Sequence, residues 1–202
     1  MHKTIVLASK SPRREQLLSS IGLKFELDPA IEFQEISSEK RPAHELVLEN
    51  AIGKAEEVAK RHPNSIIIGV DTVGALNDHI LEKPRDEEDA FRMLKMLSGV
   101  THEVYSGICM IDSESGKKIS AYETTKITFL EIPDEDIRKY IKSGEPMDKA
   151  AAYAAQGIAS IFVKSFEGDF FNVVGLPMYR LNLMFKEFDI NLIDELEFNH
   201  HI

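Results

Sequence analysis

The chain holds one cysteine, Cys109, in 202 residues. A single thiol cannot close an internal disulfide, so a disulfide scaffold is excluded and a reducing interior suits the protein. Its apolar neighbours Ile108, Met110 and Ile111 predict a buried core thiol. Long apolar runs are also missing. Nothing approaches the roughly 20 residues of a membrane-spanning helix, and the short stretch over residues 5–8 is too brief for the hydrophobic segment of a signal peptide. Positive charge is scarce: 24 Lys and Arg stand against 34 Asp and Glu, a net charge of −10. That balance argues against binding nucleic-acid polymers or an anionic membrane. The expectation is a cytoplasmic protein with a small-molecule ligand. Two kinds of motif are absent as well. There is no P-loop and no Gly-x-Gly-x-x-Gly, and the seven histidines show no paired ligand spacing such as His-x-x-x-His. A nucleotide would have to be held by side-chain cations and a helix N-terminus, without a glycine-rich cradle.

Against that background, the basic cluster in Ser9-Lys10-Ser11-Pro12-Arg13-Arg14 needs a local reason. It lies between an apolar strand over residues 4–9 and a helix whose inner face carries Leu17, Leu18 and Ile21. Ser11 fits the N-cap and Pro12 the first helical position. Arg13 and Arg14 then fall in the first turn, where the helix dipole disfavours cations. An anion at that spot, most simply a polyphosphate, resolves the conflict. A surface basic patch or a Ser-Pro phosphorylation site is the alternative.

Hydrophobic residues make up 43% of the chain, enough for a sizeable core. The whole of 1–202 reads as one large domain or one domain with two lobes, which length alone does not separate, with 190–202 as a frayed polar tail and His200-His201 frayed within it. Residues 23–27 alternate as a second strand. A polar loop with Glu32, Glu35 and Glu39 follows, one of whose acids is a candidate for function. Pro42 opens a helix with Val47, Ala51, Ala55 and Val58 inward, stopped at His62-Pro63-Asn64. Residues 65–70 form a β-branched buried strand ending at Asp71. A turn at 76–79 joins 72–76 to 80–81. Asp86 and Asp89 read as a capping pair for a helix that Gly99 terminates. Residues 104–111 and 117–130 read as long strands, 133–143 as a helix, 158–163 and 170–174 as strands, and Pro177 as the start of the last helix. Helices alternating with strands, but with hairpins in the middle, indicate an α/β fold with a mixed central sheet flanked by helices.

Asp71 is the strongest catalytic candidate, since open α/β sheets place ligands at the carboxyl ends of their strands. It offers a metal ligand or a proton acceptor for an attacking water; an ordinary Asp-Thr turn is the plainer reading. Lys54 falls within an apolar helix stripe and either snorkels to solvent or reaches an anion. Lys83, stiffened by Pro84, is a phosphate contact or a surface charge. Gln156, after an alanine-rich stretch, has the donor and acceptors to read a nucleobase edge, or is a surface amide.

The order of these blocks resembles one family. Leu7-Ala8-Ser9-x-Ser11-Pro12-Arg13-Arg14 is followed by the lysine-bearing helix at 50–55 and by Gly69-x-Asp71-Thr72. Next come Leu81-x-Lys83-Pro84 and Leu97-Ser98-Gly99-x-x-His102-x-Val104. Last are Gly144-Glu145-Pro146-Met147-Asp148-Lys149-Ala150 and Asn172-Val173-Val174-Gly175-Leu176-Pro177. The pattern is similar to the Maf proteins, nucleoside triphosphate pyrophosphatases also known as septum formation inhibitors, from about residue 4 to 189. The resemblance implies an elongated mixed sheet in two lobes with a cleft between them, and a homodimer. It implies cleavage of the α–β phosphoanhydride of a nucleoside triphosphate with a divalent metal, Mg²⁺ or Mn²⁺. Asp71 matches the catalytic aspartate. Arg13, Thr72 and Gln156 match the positions that set base choice, in the manner of the dTTP and UTP branch. Under this reading Ser9, Arg13, Arg14, Lys54 and Lys83 hold substrate, while Asp71 and Glu35 are the acids for the metal. Two departures bear on substrate choice. The family usually has glycines in Ala-Gly-Ala-Tyr-Gly-Ile-Gln-Gly, where this chain has Ala151 and Ala154-Ala155, whose methyls are expected to narrow the base pocket. Glu82 stands where a glycine is common, adding charge beside Lys83. A hydrolase of modified nucleotides and a non-catalytic nucleotide-binding regulator of division are the other readings.

Overall fold

The structure is a computed structural model that describes residues 3–36, 41–77 and 79–197. Strands β1 (Thr4–Ala8), β2 (Glu26–Leu27), β3 (Ser65–Leu76), β4 (His79–Leu81), β5 (Thr101–Asp112), β6 (Lys118–Phe129) and β7 (Val163–Glu167) form one sheet. Its order is β2-β1-β3-β5-β6-β7, with β4 paired to the outer half of β3. The β1 strand runs parallel to β2 and β3, and every other pairing is antiparallel. The expected mixed sheet is therefore present.

Helices α1 (Pro12–Ser20), α2 (Ala43–Ala59), α3 (Glu87–Leu97), α4 (Asp134–Lys142), α5 (Phe170–Val174) and α6 (Met178–Glu187) flank the sheet. The α2 helix lies against β3 and β5 with Val47, Ala51, Ala55 and Val58 fully buried, as their spacing predicts. Two glycines permit that approach. A Cβ on Gly69 would stand 2.2 Å from the Ala51 carbonyl oxygen, and one on Gly107 would stand 2.3 Å from that of Val47. The α2 backbone thus rests directly on the strands that carry Asp71 and its partner Gly107.

The apolar interior holds four clusters among the described residues, two of them large. One cluster gathers β1, α1 and α6 on Ile66, Ile68, Ile108 and Met110. The other gathers α3 and α4 on Val104, Ile127 and Phe129, together with Ala151, Ala152 and Tyr153. Asp71 lies on β3 between Val70 of the first cluster and Leu76, which packs against the second. Cys109 is buried, and burial pushes its thiol up to about 12.

Several expectations change. The strand ending at Asp71 instead continues to Leu76, because Asp71 and Thr72 both pair with β5, opposite Gly107 and Ser106. Asp71 is therefore a mid-strand residue. The strand expected over 158–163 is a 3₁₀ turn at Ile158–Phe162, and extended structure begins only at Val163. The strand expected over 170–174 is the helix α5, whose first turn is capped by Asp169 accepting from the Phe171 N–H at 2.8 Å. There the buried Asn172 donates to the Val104 carbonyl and to Thr125, so tertiary bonds override the β-branched composition. The second strand shrinks to Glu26–Leu27. The segment expected to fray from 190 is packed as far as Glu197: Leu192 is buried, Leu196 bridges Leu23, and the Glu197 N–H donates to the Gly22 carbonyl at 2.8 Å. Glu39, Asp78 and the His200-His201 pair lie outside the described residues. The Asp86–Asp89 cap is present, with the Asp89 N–H donating to Asp86 Oδ1 at 2.8 Å.

Candidate active site

Ser11 takes the extended N-cap conformation before Pro12, but its side chain makes no cap bond. Its own N–H donates to Ser9 Oγ at 3.2 Å. One turn on, Arg14 bends inward and is buried. Its Nε donates to the Gly175 carbonyl at 2.8 Å, Nη1 to Ser9 Oγ at 2.9 Å and to the Val70 carbonyl at 3.1 Å, and Nη2 to Thr72 Oγ1 at 2.9 Å. A guanidinium has five N–H donors, so one is left for a ligand. Burial pushes its pKa down to about 10, partly countered by the Asp71 carboxylate, so Arg14 is a cation at neutral pH. The guanidinium expected to grip phosphate is spent mainly on tying β1, β3 and the end of α5 together.

Arg13 turns toward α4 and the 3₁₀ turn at Glu145–Asp148. It is half-buried, with its pKa lowered by burial and drawn back up by Asp148, Glu145 and Tyr140. Glu145 in turn accepts from Tyr140 Oη and from the N–H groups of Ile158 and Ala159. A Cβ on Gly157 would meet its Oε2 at 2.4 Å. Arg13 thus feels the Glu145 carboxylate from α1, while Gln156 is exposed in the loop just before Gly157.

Asp71 and Thr72 alternate across β3 and point to opposite faces. Thr72 Oγ1 shares a hydrogen bond with Ser106 Oγ at 2.8 Å beside Arg14. Asp71 faces α2. Its Oδ1 accepts from Lys54 Nζ at 2.7 Å and its Oδ2 from Asn50 Nδ2 at 3.1 Å. The same ammonium lies 2.5 Å from Glu35 Oε1. Burial acts to raise the Glu35 carboxyl, but Lys54, Lys83 and Arg14 outweigh it and hold the pKa below the usual value. Glu35 is ionised at neutral pH.

The structure therefore gathers most of the expected residues in two clusters. Glu35, Lys54 and Asp71 form an ion-paired cluster; Ser9, Arg14 and Thr72 form a hydrogen-bonded one on the other face of β3; Arg13 stands within the field of Glu145, and Gln156 is exposed and is not brought to any of them. Lys83 is exposed and reaches the first set only through its field at Glu35. Asn50, Ser106 and the Gly175 carbonyl were not singled out in the sequence. Asn50 was findable, since it lies one helical turn before Lys54 on the same face. The methyl of Ala151 does not narrow an open pocket: Ala151 is buried in the second core, and a Cβ on Gly74 would meet its Cβ at 2.7 Å.

Among the described residues no group of three or more His, Cys, Asp or Glu converges on one point. Asp71 and Glu35 supply hard carboxylate oxygens that already share one cation, Lys54 Nζ. That donor set fits a magnesium-like ion, which commonly takes one or two carboxylates and completes its shell with phosphate oxygens and water.

A family model described as Maf-like protein matches residues 4–188. A dTTP/UTP pyrophosphatase from Thermoanaerobacter sp. is 46% identical over 191 residues, covering 94% of this chain and 99% of the relative. One from Dictyoglomus turgidum is 42% identical over 194 residues, covering 96% of this chain and all of the relative, 100%. A solved structure of a nucleoside-triphosphatase, dITP/XTP pyrophosphatase, from Mycobacterium abscessus aligns with a TM-score of 0.43 and 18% identity, covering 64% of this chain and 76% of that one.

Proposed function

The chain belongs to the Maf family, and from that premise we propose that it hydrolyses dTTP and UTP to the nucleoside monophosphate and pyrophosphate. The observation that carries the reading into chemistry is the buried Asp71 carboxylate, oriented by Lys54 and Asn50 beside Glu35.

In this mechanism the triphosphate lies between the lobes, with the α1 N-terminus, Arg13 and Lys83 drawing its charge. Lys54 neutralises Asp71 and Glu35 before substrate arrives. The two carboxylates would hold a divalent Mg²⁺ or Mn²⁺, which supplies charge neutralisation on phosphate oxygens and a more acidic water. Water attacks the α-phosphorus, the α–β bridging bond breaks, and pyrophosphate leaves with that oxygen. Asp71 takes the proton of the water or orients it through its free lone pairs. Positioning and charge neutralisation dominate such transfers. Arg14 acts by holding Ser9 and Thr72 in place and offers one remaining N–H. Arg13, Thr72 and Gln156 are assigned to base choice. The cytoplasmic location and the homodimer belong to the same proposal; sedimentation checks the latter.

The test is Asp71→Asn, assayed for pyrophosphate release over a nucleotide panel with Mg²⁺ and Mn²⁺. Turnover of dTTP and UTP is expected to fall by about 10²–10⁴-fold, the usual cost of a lost general base. Wild-type turnover in that variant overturns the assignment of Asp71, and preference for a modified nucleotide over dTTP overturns the substrate reading.

A further inference from the structure

The loop that carries Glu35 has no regular structure of its own, yet it is tied to α2 at every turn. Glu57 Oε1 accepts from the Ile31 N–H at 2.9 Å, and Oε2 accepts from Glu32 at 3.1 Å and Phe33 at 2.6 Å. Three consecutive amides thus converge on one buried carboxylate. Arg61 backs it from the next turn, with Nη1 3.0 Å from Oε1, and its Nη2 also reaches the Pro29 carbonyl at 2.9 Å. Gly53 leaves the space for Phe33: a Cβ there would lie 2.0 Å from the Phe33 ring. Asn50 closes the loop by accepting from the Ile36 N–H at 2.8 Å through Oδ1, while its Nδ2 holds Asp71.

Asn50, Gly53, Lys54 and Glu57 follow helical spacing, so they form a second stripe on α2 beside the apolar one, and Arg61 extends it from the turn just past the helix. The apolar stripe docks α2 on the sheet under Asp71. The polar stripe docks the 31–36 loop on α2. One helix thus contacts both segments, through Asn50 and Lys54, and sets the distance between Asp71 and Glu35.

We infer that Glu57 is a positioning residue for catalysis: its carboxylate fixes the 31–36 loop on α2 so that Glu35 meets Lys54 and Asp71. The inference rests on the proposed role of Glu35. Both Glu57 oxygens are taken by the loop amides and Arg61, so its effect passes through the backbone of Ile31–Phe33. A glutamine in its place keeps one carbonyl acceptor but turns an N–H₂ group toward amide donors.

The experiment is a double-mutant cycle of Glu57→Gln and Glu35→Ala, measured as kcat and KM for dTTP with Mn²⁺. Amide hydrogen exchange of residues 31–33 and thermal melting accompany it. A displacement of about 1 Å at a reacting group can cost about 10²-fold. Glu57→Gln is expected to lower kcat about 10–10²-fold, with KM changed less than about threefold, and to speed exchange at residues 31–33. In the Glu35→Ala background it is expected to add less than about twofold, because coupled sites are non-additive. Glu56→Gln, on the exposed side of α2, leaves kcat unchanged. Arg61→Gln loosens the same anchor from its exposed end and gives the cycle in a milder form. Full additivity of Glu57→Gln with Glu35→Ala overturns the positioning role and leaves only a structural tie. Wild-type kcat in Glu35→Ala alone overturns the role of Glu35 itself, and this inference with it.

Discussion

Lys54 Nζ lies 2.7 Å from Oδ1 of Asp71, and both side chains are almost withdrawn from solvent, at 12% and 11% exposure. Removing one partner of such a pair leaves the other charge buried without compensation, which costs more than the pair contributes. The Lys54→Met variant is expected to lose about 2–3 kcal/mol of stability in thermal or urea unfolding without ligand. Adding Asp71→Asn to Lys54→Met is expected to return part of that loss. A double variant less stable than Lys54→Met would refute the electrostatic origin.

Arginines 13 and 14 are adjacent in sequence but differ in task. Arg14 meets Ser9, Val70, Thr72 and Gly175 through three nitrogens. Lysine presents a single ammonium and cannot span that fork. Arg14→Lys is expected to cost about 2–4 kcal/mol in unfolding, from several lost charge-assisted bonds and unpaired buried acceptors. Arg13 makes no hydrogen bond among the described residues, so Arg13→Lys is expected to leave the melting temperature within about 2 °C while raising KM for dTTP. Equal destabilisation by both substitutions would contradict this division.

Ala151 sits at φ 57° and ψ 19°, in the left-handed region. An alanine there carries about 1 kcal/mol of backbone strain, held because Gly74 on β3 leaves room for its methyl. Ala151→Gly is expected to raise stability by about 0.5–1 kcal/mol, or about 1–4 °C in melting temperature, with little change in substrate choice. Destabilisation on this change would show that the methyl's packing outweighs the strain.

His102 is buried, with Nε2 2.7 Å from Tyr153 Oη and Nδ1 unpartnered among the described residues. Burial pushes its pKa down to about 4 from 6.5. Between those values the unfolded chain carries the extra proton, so stability rises with pH across the window. The contribution is complete above about pH 6.5 and is lost as pH falls toward 4, amounting to about 3 kcal/mol. His102→Gln, which retains a group for Tyr153, is expected to flatten the melting temperature between pH 6.5 and 4. An unchanged slope would place the acid sensitivity elsewhere.

Much of the architecture was legible because it follows local periodicity. Val47, Ala51, Ala55 and Val58 lie at helical spacing, and residues 66–70 form a buried β-branched run; both sit in the core as expected. Lys54 and Asp71 were legible as candidates because a charge in each apolar context is out of place. Phe170–Val174 misled, since its aromatic and β-branched residues favour a strand until the buried Asn172 amide finds Val104 and Thr125 far along the chain. Asp71 was placed at a strand end because the apolar run stops there, but main-chain pairing ignores that polarity. Glu57 was invisible for a related reason. Its partners are backbone amides of an irregular loop, which leave no mark on side-chain pattern.

The Arg14 to Gly175 bond joins positions 161 residues apart. Ribosomes deliver Arg14 and Val70 early and Gly175 late, so a growing chain holds the guanidinium and its strand carbonyl without their last acceptor. The junction of β1, β3 and the segment after α5 cannot close until almost the whole polypeptide has emerged, because long-range closures come after local ones. A nascent fragment ending before Gly175 would keep the helices and hairpins that depend on neighbours, yet leave the Arg14 fork one acceptor short. In that sense the fold is fastened only at the end of its own translation.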